Sequence, residues 1–325
     1  MIKPKIFVTD ATFPEIIDYL SQWLEVEHNQ ADQSYTEPDL IKKLHDKAGV
    51  FAHSTRRFTA ELFAACPHLK AVCNMAVGYN NIDVDAASAA GVMVTNTPNV
   101  LNETTADFGW ALMMAAARRV TESEHFLRAG RWTRWRFDDF LGVDIHGSTL
   151  GIVGMGRIGQ AIARRTTGFG MSVVYHNRTR LTPALEIAAN NAQYLSLEEC
   201  LRSADHLILT LPYSPQSHHL IGKAQLAMMK PTATLVNIAR GGIVDDAALI
   251  SALESGTIAA AGMDVFENEP LFNPAFLSLS NVVLTPHIGS ASTSTRRAMA
   301  YCAADNLVAA LTGKRPPNLL NPEYF

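Results

Sequence analysis

The chain has 325 residues, 48% hydrophobic and 18% charged, with a formal net charge of −4. That length accommodates two domains of ordinary size, and the composition suits packed cores rather than a disordered or low-complexity chain. The slight acidity argues against nucleic acid or an anionic membrane as partner, and no apolar run reaches the roughly 18–20 residues of a membrane span.

Residues 1–10 run straight into a strand-like stretch, with no long apolar segment and no small-residue cleavage site, so no secretion signal is expected. Strands are expected over 5–9, 50–53, 69–73 and 92–95, and helices over 14–24, 59–65 and 84–90. This alternation predicts an α/β domain with a parallel sheet covered on both faces. A long helix over 102–119 follows, capped by the stretch Asn102-Glu103-Thr104-Thr105 and rich in Ala, Met and Leu. Next come Trp132, Trp135, Phe137 and Phe140, interleaved with charges and without a regular period. This stretch reads as an arm that packs on a second subunit, with packing on its own chain as the alternative.

A second α/β domain is expected from Thr149 onward, with strands over 149–154, 172–176, 206–211, 233–238, 259–265 and 281–285. The segment 293–311 is strongly helical, and Gly313-Lys314-Arg315-Pro316-Pro317 ends it. The first domain has no closing helix of its own, so this last helix is expected to return to it. The expected division is 1–101 with 291–325 against 102–290, the latter carrying an arm at about 120–147. Two α/β domains predict a ligand cleft between them. The four cysteines, Cys66, Cys73, Cys200 and Cys302, are widely spaced and read as reduced thiols of a cytoplasmic protein. His218-His219 has no supporting ligand cluster and reads as loop, not metal site.

The most informative motif is the turn after the first strand of the second domain, where Gly154, Gly156 and Gly159 make a G-x-G-x-x-G spacing. The first glycine permits a tight turn, the second lets a pyrophosphate approach the backbone, and the third lets helix and strand pack closely. The helix that follows, beginning at Arg157 and Ile158, points its free N–H groups and positive dipole end at the phosphates. A dinucleotide is therefore expected. An NAD unit usually has Asp or Glu at the end of the next strand; here the stretch reads Asn177-Arg178-Thr179-Arg180, with no acid. Arg178 and Arg180 can pair with a 2′-phosphate, so NADP(H) is the expected cofactor. The alternative is a solvated basic turn that accepts NAD(H) as well.

Three further segments follow predicted strands, where open α/β sheets bind their ligands. They centre on Arg240, on Asp264 with Glu269, and on His287. With the glycine motif, and in the same order, they resemble the D-isomer-specific 2-hydroxyacid dehydrogenase family over essentially the whole chain. The stretches Val77-Gly78-Tyr79-Asn80-Asn81-Ile82-Asp83 and Gly142-Val143-Asp144-Ile145-His146, the basic cofactor turn and Leu320-Asn321-Pro322 are similar to its glyoxylate/hydroxypyruvate reductase branch, which includes bacterial enzymes that also reduce 2-ketogluconate.

The resemblance implies a Rossmann cofactor domain, a flavodoxin-like substrate domain and hydride transfer to a small 2-oxoacid. It implies that Arg240 grips the substrate carboxylate, that backbone N–H groups at Val77 and Gly78 help, that His287 exchanges the proton, and that Glu269 orients His287 and favours the imidazolium. On the cofactor side it implies Thr105, Arg157, Ile158, Leu211, Pro212, Ile238, Ala239, Asp264 and Gly289. Trp135 resembles an aromatic that some reductases push into a neighbouring subunit's site; a homodimer is expected through the long helix from about Asn102 and the aromatic arm at Trp132–Phe140. Phosphoglycerate or D-lactate dehydrogenases, and a cofactor-sensing binding protein of the same fold, are the alternatives. A formate dehydrogenase is disfavoured because Glu269 stands where that chemistry is implied to use Gln.

Overall fold

The computed structural model describes residues 2–325. Two compact units emerge, one from Met1–Leu101 with Ser292–Phe325, the other from Asn102–Ala291.

The first unit is built on a five-stranded parallel sheet: β1 (Lys5–Val8), β2 (Glu25–His28), β3 (Gly49–Ala52), β4 (Ala71–Asn74) and β5 (Met93–Thr95), in the order β2-β1-β3-β4-β5. This is the flavodoxin-like order, with its switch point between β1 and β3. Strands β3 and β4 are buried throughout, as strands covered on both faces must be. The sequence gives no sign of β2, because Glu-Val-Glu-His is polar and only half-buried at the sheet edge. The short charged helix Glu37–Leu44 was likewise not expected; it buries only Leu40 and Leu44.

The C-terminal helix Thr293–Leu311 buries Met299, Ala303 and Leu307 in this unit. It approaches β3 so closely that a Cβ on Gly49 would lie 2.8 Å from Leu307 Cδ1. The chain then runs along β5, where Leu320 N–H donates to Val94 O at 2.8 Å and Asn321 Oδ1 accepts the Val94 N–H at 3.1 Å.

The second unit holds a seven-stranded parallel sheet: β6 (Thr149–Val153), β7 (Ser172–His176), β8 (Gln193–Tyr194), β9 (His206–Leu209), β10 (Thr234–Asn237), β11 (Ala260–Met263) and β12 (Val282–Leu284). Its order is β12-β11-β10-β9-β6-β7-β8, the dinucleotide-binding arrangement with one added strand and a switch point between β6 and β9. The helix Asn102–Ala117 buries Ala106, Trp110, Leu112 and Met113 against this sheet. It ends earlier than expected, and Arg119 adopts φ +53° before a second helix, Val120–Arg128. No glycine or proline marks that break; Arg119 is held instead by Glu122 and by the ring of Phe140, 5.3 Å away.

The four cysteines are unpaired. Among the described residues no cluster of His, Cys, Asp and Glu could hold a metal ion, and no helix is long and apolar enough to cross a membrane.

Candidate active site

The glycine turn sits at the switch point of the seven-stranded sheet. Gly154 has φ +102°, and a Cβ there would lie 2.5 Å from the Leu211 backbone nitrogen after β9. Only glycine lets the two strand ends close together. Its carbonyl accepts the Thr210 hydroxyl at 2.6 Å. A Cβ on Gly159 would meet Gly154 O at 2.7 Å, so the third glycine serves helix–strand packing.

Gly156 differs: a Cβ there meets nothing within 4 Å. It is the N-cap of the helix Arg157–Arg165 and supplies no side-chain cap. An uncapped helix start beside open space is the anion seat a pyrophosphate needs. The residues present therefore fit a dinucleotide. Leu211 and Pro212 follow β9, Ile158 lies in the first helical turn, and Ile238 and Ala239 follow β10.

The basic turn after β7 divides into distinct tasks. Asn177 Oδ1 accepts the Met155 N–H at 2.7 Å and so braces the glycine turn itself. Arg180 is a forked partner of Glu186, through Nε at 2.8 Å and Nη2 at 2.9 Å. Glu186 also takes the Tyr175 hydroxyl at 2.7 Å. Arg178 and Thr179 are exposed, and Arg178 makes no ion pair among the described residues. Of the two arginines, Arg178 is the one not committed to a carboxylate.

The proton-transfer candidates follow β10, β11 and β12. His287 lies in a turn after β12 with φ +53°. Its Nδ1 pairs with Glu269 Oε2 at 2.8 Å. The other oxygen of Glu269 accepts the Phe266 N–H at 2.7 Å, so both carboxylate oxygens are fixed. The His287 ring is 40% exposed, and its Nε2 makes no hydrogen bond within this unit. A histidine held through Nδ1 by a carboxylate presents Nε2 as proton donor or acceptor.

Arg240 follows β10. Its backbone carbonyl accepts from Asn237 Nδ2 at 3.2 Å, and its Nη1 donates to Ala239 O at 2.7 Å. Burial pulls its pKa below the ordinary guanidinium value, while the Glu269 carboxylate opposes that shift. Arg240 and the Glu269–His287 pair thus share one electrostatic neighbourhood.

Asp264 is 2% exposed. It accepts the Thr285 hydroxyl at 2.7 Å and the N–H groups of Ile288 and Gly289, each at 2.8 Å. Its own carbonyl accepts the His287 N–H at 2.9 Å. Burial raises its pKa, and the three donors oppose the rise. In this structure Asp264 braces the turn that carries His287, a task the resemblance did not suggest. Thr105 is buried nearby; a Cβ on Gly289 would lie 3.6 Å from Thr105 Cγ2.

In the first unit, Val77 and Gly78 follow β4, at the carboxyl edge of the five-stranded sheet. Asn74 Nδ2 donates to Gly78 O at 2.9 Å and Asn96 Nδ2 to Val77 O at 2.8 Å, so both carbonyls are turned into the protein. Trp135 is 75% exposed and Phe137 83% exposed on the irregular arm, whereas Phe140 packs on Phe126 at 5.1 Å.

Residues 110–289 match the model of the D-isomer specific 2-hydroxyacid dehydrogenase, NAD binding domain. A glyoxylate reductase of Thermococcus gammatolerans is 46% identical over 326 aligned residues, covering 99% of this chain and 97% of the relative. One from Aeropyrum pernix is 47% identical, with coverage of 99% and 97%. Among solved structures, an NADPH-dependent glyoxylate/hydroxypyruvate reductase from Sinorhizobium meliloti, in complex with NADP and malonate, is 35% identical with a TM-score of 0.89, covering 99% of this chain and 98% of that one.

Proposed function

Because the chain belongs to the D-isomer-specific 2-hydroxyacid dehydrogenase family, we propose that it reduces small 2-oxoacids, glyoxylate and hydroxypyruvate foremost and 2-ketogluconate as a bulkier case, to D-2-hydroxyacids with NADPH. The observation that carries this reading is the Glu269–His287 pair, 2.8 Å apart and beside Arg240 at the carboxyl edge of a dinucleotide-binding sheet. Arg240 holds the substrate carboxylate. His287 gives its Nε2 proton to the keto oxygen, and Glu269 stabilises the imidazolium beforehand and orients the ring. The nicotinamide, when bound, supplies the hydride. In the oxidation direction His287 takes the proton back.

The test is kinetic efficiency for glyoxylate, hydroxypyruvate, 2-ketogluconate and pyruvate, each with NADPH and NADH. Glyoxylate or hydroxypyruvate with NADPH should rank first. A clear preference for pyruvate would favour the D-lactate alternative.

Cofactor choice rests on Arg178. Its exposed and unpaired guanidinium stands where an NAD enzyme carries an acid. Arg178→Ala should weaken NADPH by roughly 10–100-fold, the value of a charge-assisted hydrogen bond or two. NADH should be nearly unaffected. Arg180→Ala should matter less to NADPH, because that fork is already bound to Glu186. Equal losses for both cofactors in the Arg178 variant would contradict this assignment.

Assembly follows from the arm. Trp132, Trp135, Phe137 and Leu141 are all exposed on one irregular segment, costly to leave in water. They support a homodimer in which Trp135 reaches the neighbour's substrate site. Light scattering at micromolar concentration should give twice the chain mass of 35.4 kDa; the single-chain mass would refute the dimer. Trp135→Ala should change the preference between small and bulky oxoacids without unfolding either unit. The four unpaired thiols support a reducing compartment, the cytoplasm.

A further inference from the structure

Asp246 is a buried ionisable group to which the reaction above gives no task. It opens the helix Asp246–Glu254, directly after the N-cap Asp245, and is 2% exposed. Its Oδ2 accepts the Glu267 N–H at 3.1 Å. Its Oδ1 is buried with no hydrogen-bond partner among the described residues. A half-satisfied buried carboxylate is an expensive way to accept one hydrogen bond, and a neutral side chain would do so at lower cost.

The bond lies at a seam between two catalytic segments. Glu267 stands two residues before Glu269, and Phe266, just before it, donates its N–H to Glu269 Oε1. The peptide joining Phe266 and Glu267 rests on Gly241, the residue after Arg240. A Cβ on Gly241 would fall 1.7 Å from Phe266 O and 2.9 Å from Glu267 N. The segment bearing Arg240 and the segment bearing Glu269 are therefore pressed together, with Asp246 gripping the peptide at the junction. The charged groups facing Asp246 are the carboxylates of Glu267 and Asp245 and the imidazole of His219. His219 Nε2 in turn bonds Glu267 Oε1, and its Nδ1 lies 3.9 Å from Asp245 Oδ2.

We propose that Asp246 is a positioning residue for the reduction: its ionised carboxylate clamps the Glu267 backbone N–H and thereby holds Glu269 in register behind His287. This deepens the reductase reading and rests on it. The clamp weakens when the carboxyl is protonated, because a charge-assisted hydrogen bond is about twice as strong as a neutral one. Burial pushes the Asp246 pKa up to about 6; the Glu267 N–H opposes this, the Glu267 and Asp245 carboxylates add to it, and His219 opposes it. Activity should therefore fall as pH drops through about 6. A variant that cannot ionise at this position tests whether that acid limb belongs to Asp246. Fold stability moves the other way. An acid whose pKa is raised on folding destabilises the native state above that pKa, and the penalty is relieved as pH falls.

Asp246→Asn separates these effects, because it keeps the shape and an acceptor but cannot ionise. The variant should unfold at a higher temperature than wild type at neutral pH. Its kcat for glyoxylate with NADPH should fall about 5-fold there, the difference between the two kinds of hydrogen bond, and its acid limb should flatten. Asp246→Ala, which removes the acceptor, should lower kcat further at every pH and leave the KM for NADPH unchanged. A structural role alone would lower stability and activity together. An Asn variant with wild-type kcat and an unchanged acid limb would overturn the clamp, as would a lower unfolding temperature. Wild-type turnover measured alongside distinguishes the failures. No turnover overturns the reductase reading together with the clamp, whereas normal wild-type turnover with an unaltered Asn variant overturns the clamp alone.

Discussion

Replacing His287 by alanine should lower kcat for glyoxylate reduction by roughly 10²–10⁴-fold, the range for removing a general acid. The KM for NADPH should change little, because the His287 ring is not part of the glycine turn or of the helix start at Arg157. Glu269→Gln should also lower kcat, for a reason visible in the hydrogen bonds. Glu269 accepts from two donors at once, the Phe266 N–H and His287 Nδ1. A carboxamide has one oxygen, so one of the two contacts becomes donor against donor or forces His287 to lose its Nδ1 proton. Either outcome weakens the support for the protonated ring that reduction needs. A His287→Ala enzyme with near-normal kcat would show that the proton comes from another group.

Arg240→Lys should raise the KM for glyoxylate by roughly 10–100-fold and lower kcat as well. The substitution keeps a charge but loses the planar fork that matches a carboxylate. It also loses the donor that Nη1 presents to Ala239 O at 2.7 Å, which fixes the plane of the guanidinium. A shorter, strongly hydrated ammonium in a place where burial already depresses the cation is a poor replacement. The loss of kcat distinguishes an arginine that polarises the keto group from one that only captures substrate. An unchanged KM would remove Arg240 from the carboxylate site.

The parts of this structure that were legible in the sequence are those whose chemistry is local. Gly154, Gly156 and Gly159 announce a turn between strand and helix because their spacing is short and fixed, although the Leu211 backbone that Gly154 makes room for lies far along the chain. The parallel sheets were legible because their central strands are short apolar runs between helical patterns. What escaped depends on neighbours distant in the chain. The polar strand β2 is ordered only by pairing with β1 at a sheet edge. The fork of Arg180 on Glu186 also escaped, although the two are close in the chain, because it forms only when the turn after β7 is folded. The grip of Asp264 on the turn at 285–289 forms only when β11 and β12 are folded side by side. Asp245-Asp246 reads as an ordinary helix start, and Asp245 is indeed the cap, bonding Ala248 N–H at 3.0 Å. Nothing in the dipeptide shows that Asp246 is turned inward onto the Glu267 peptide.

The most direct test is one rate: the loss of near-ultraviolet nicotinamide absorbance when the purified protein is given glyoxylate and NADPH, with the His287→Ala protein run beside it. Steady oxidation of NADPH by the wild-type chain, reduced at least 10²-fold in the variant, is the predicted result. No oxidation with glyoxylate or hydroxypyruvate, or oxidation that survives the loss of His287, would contradict it.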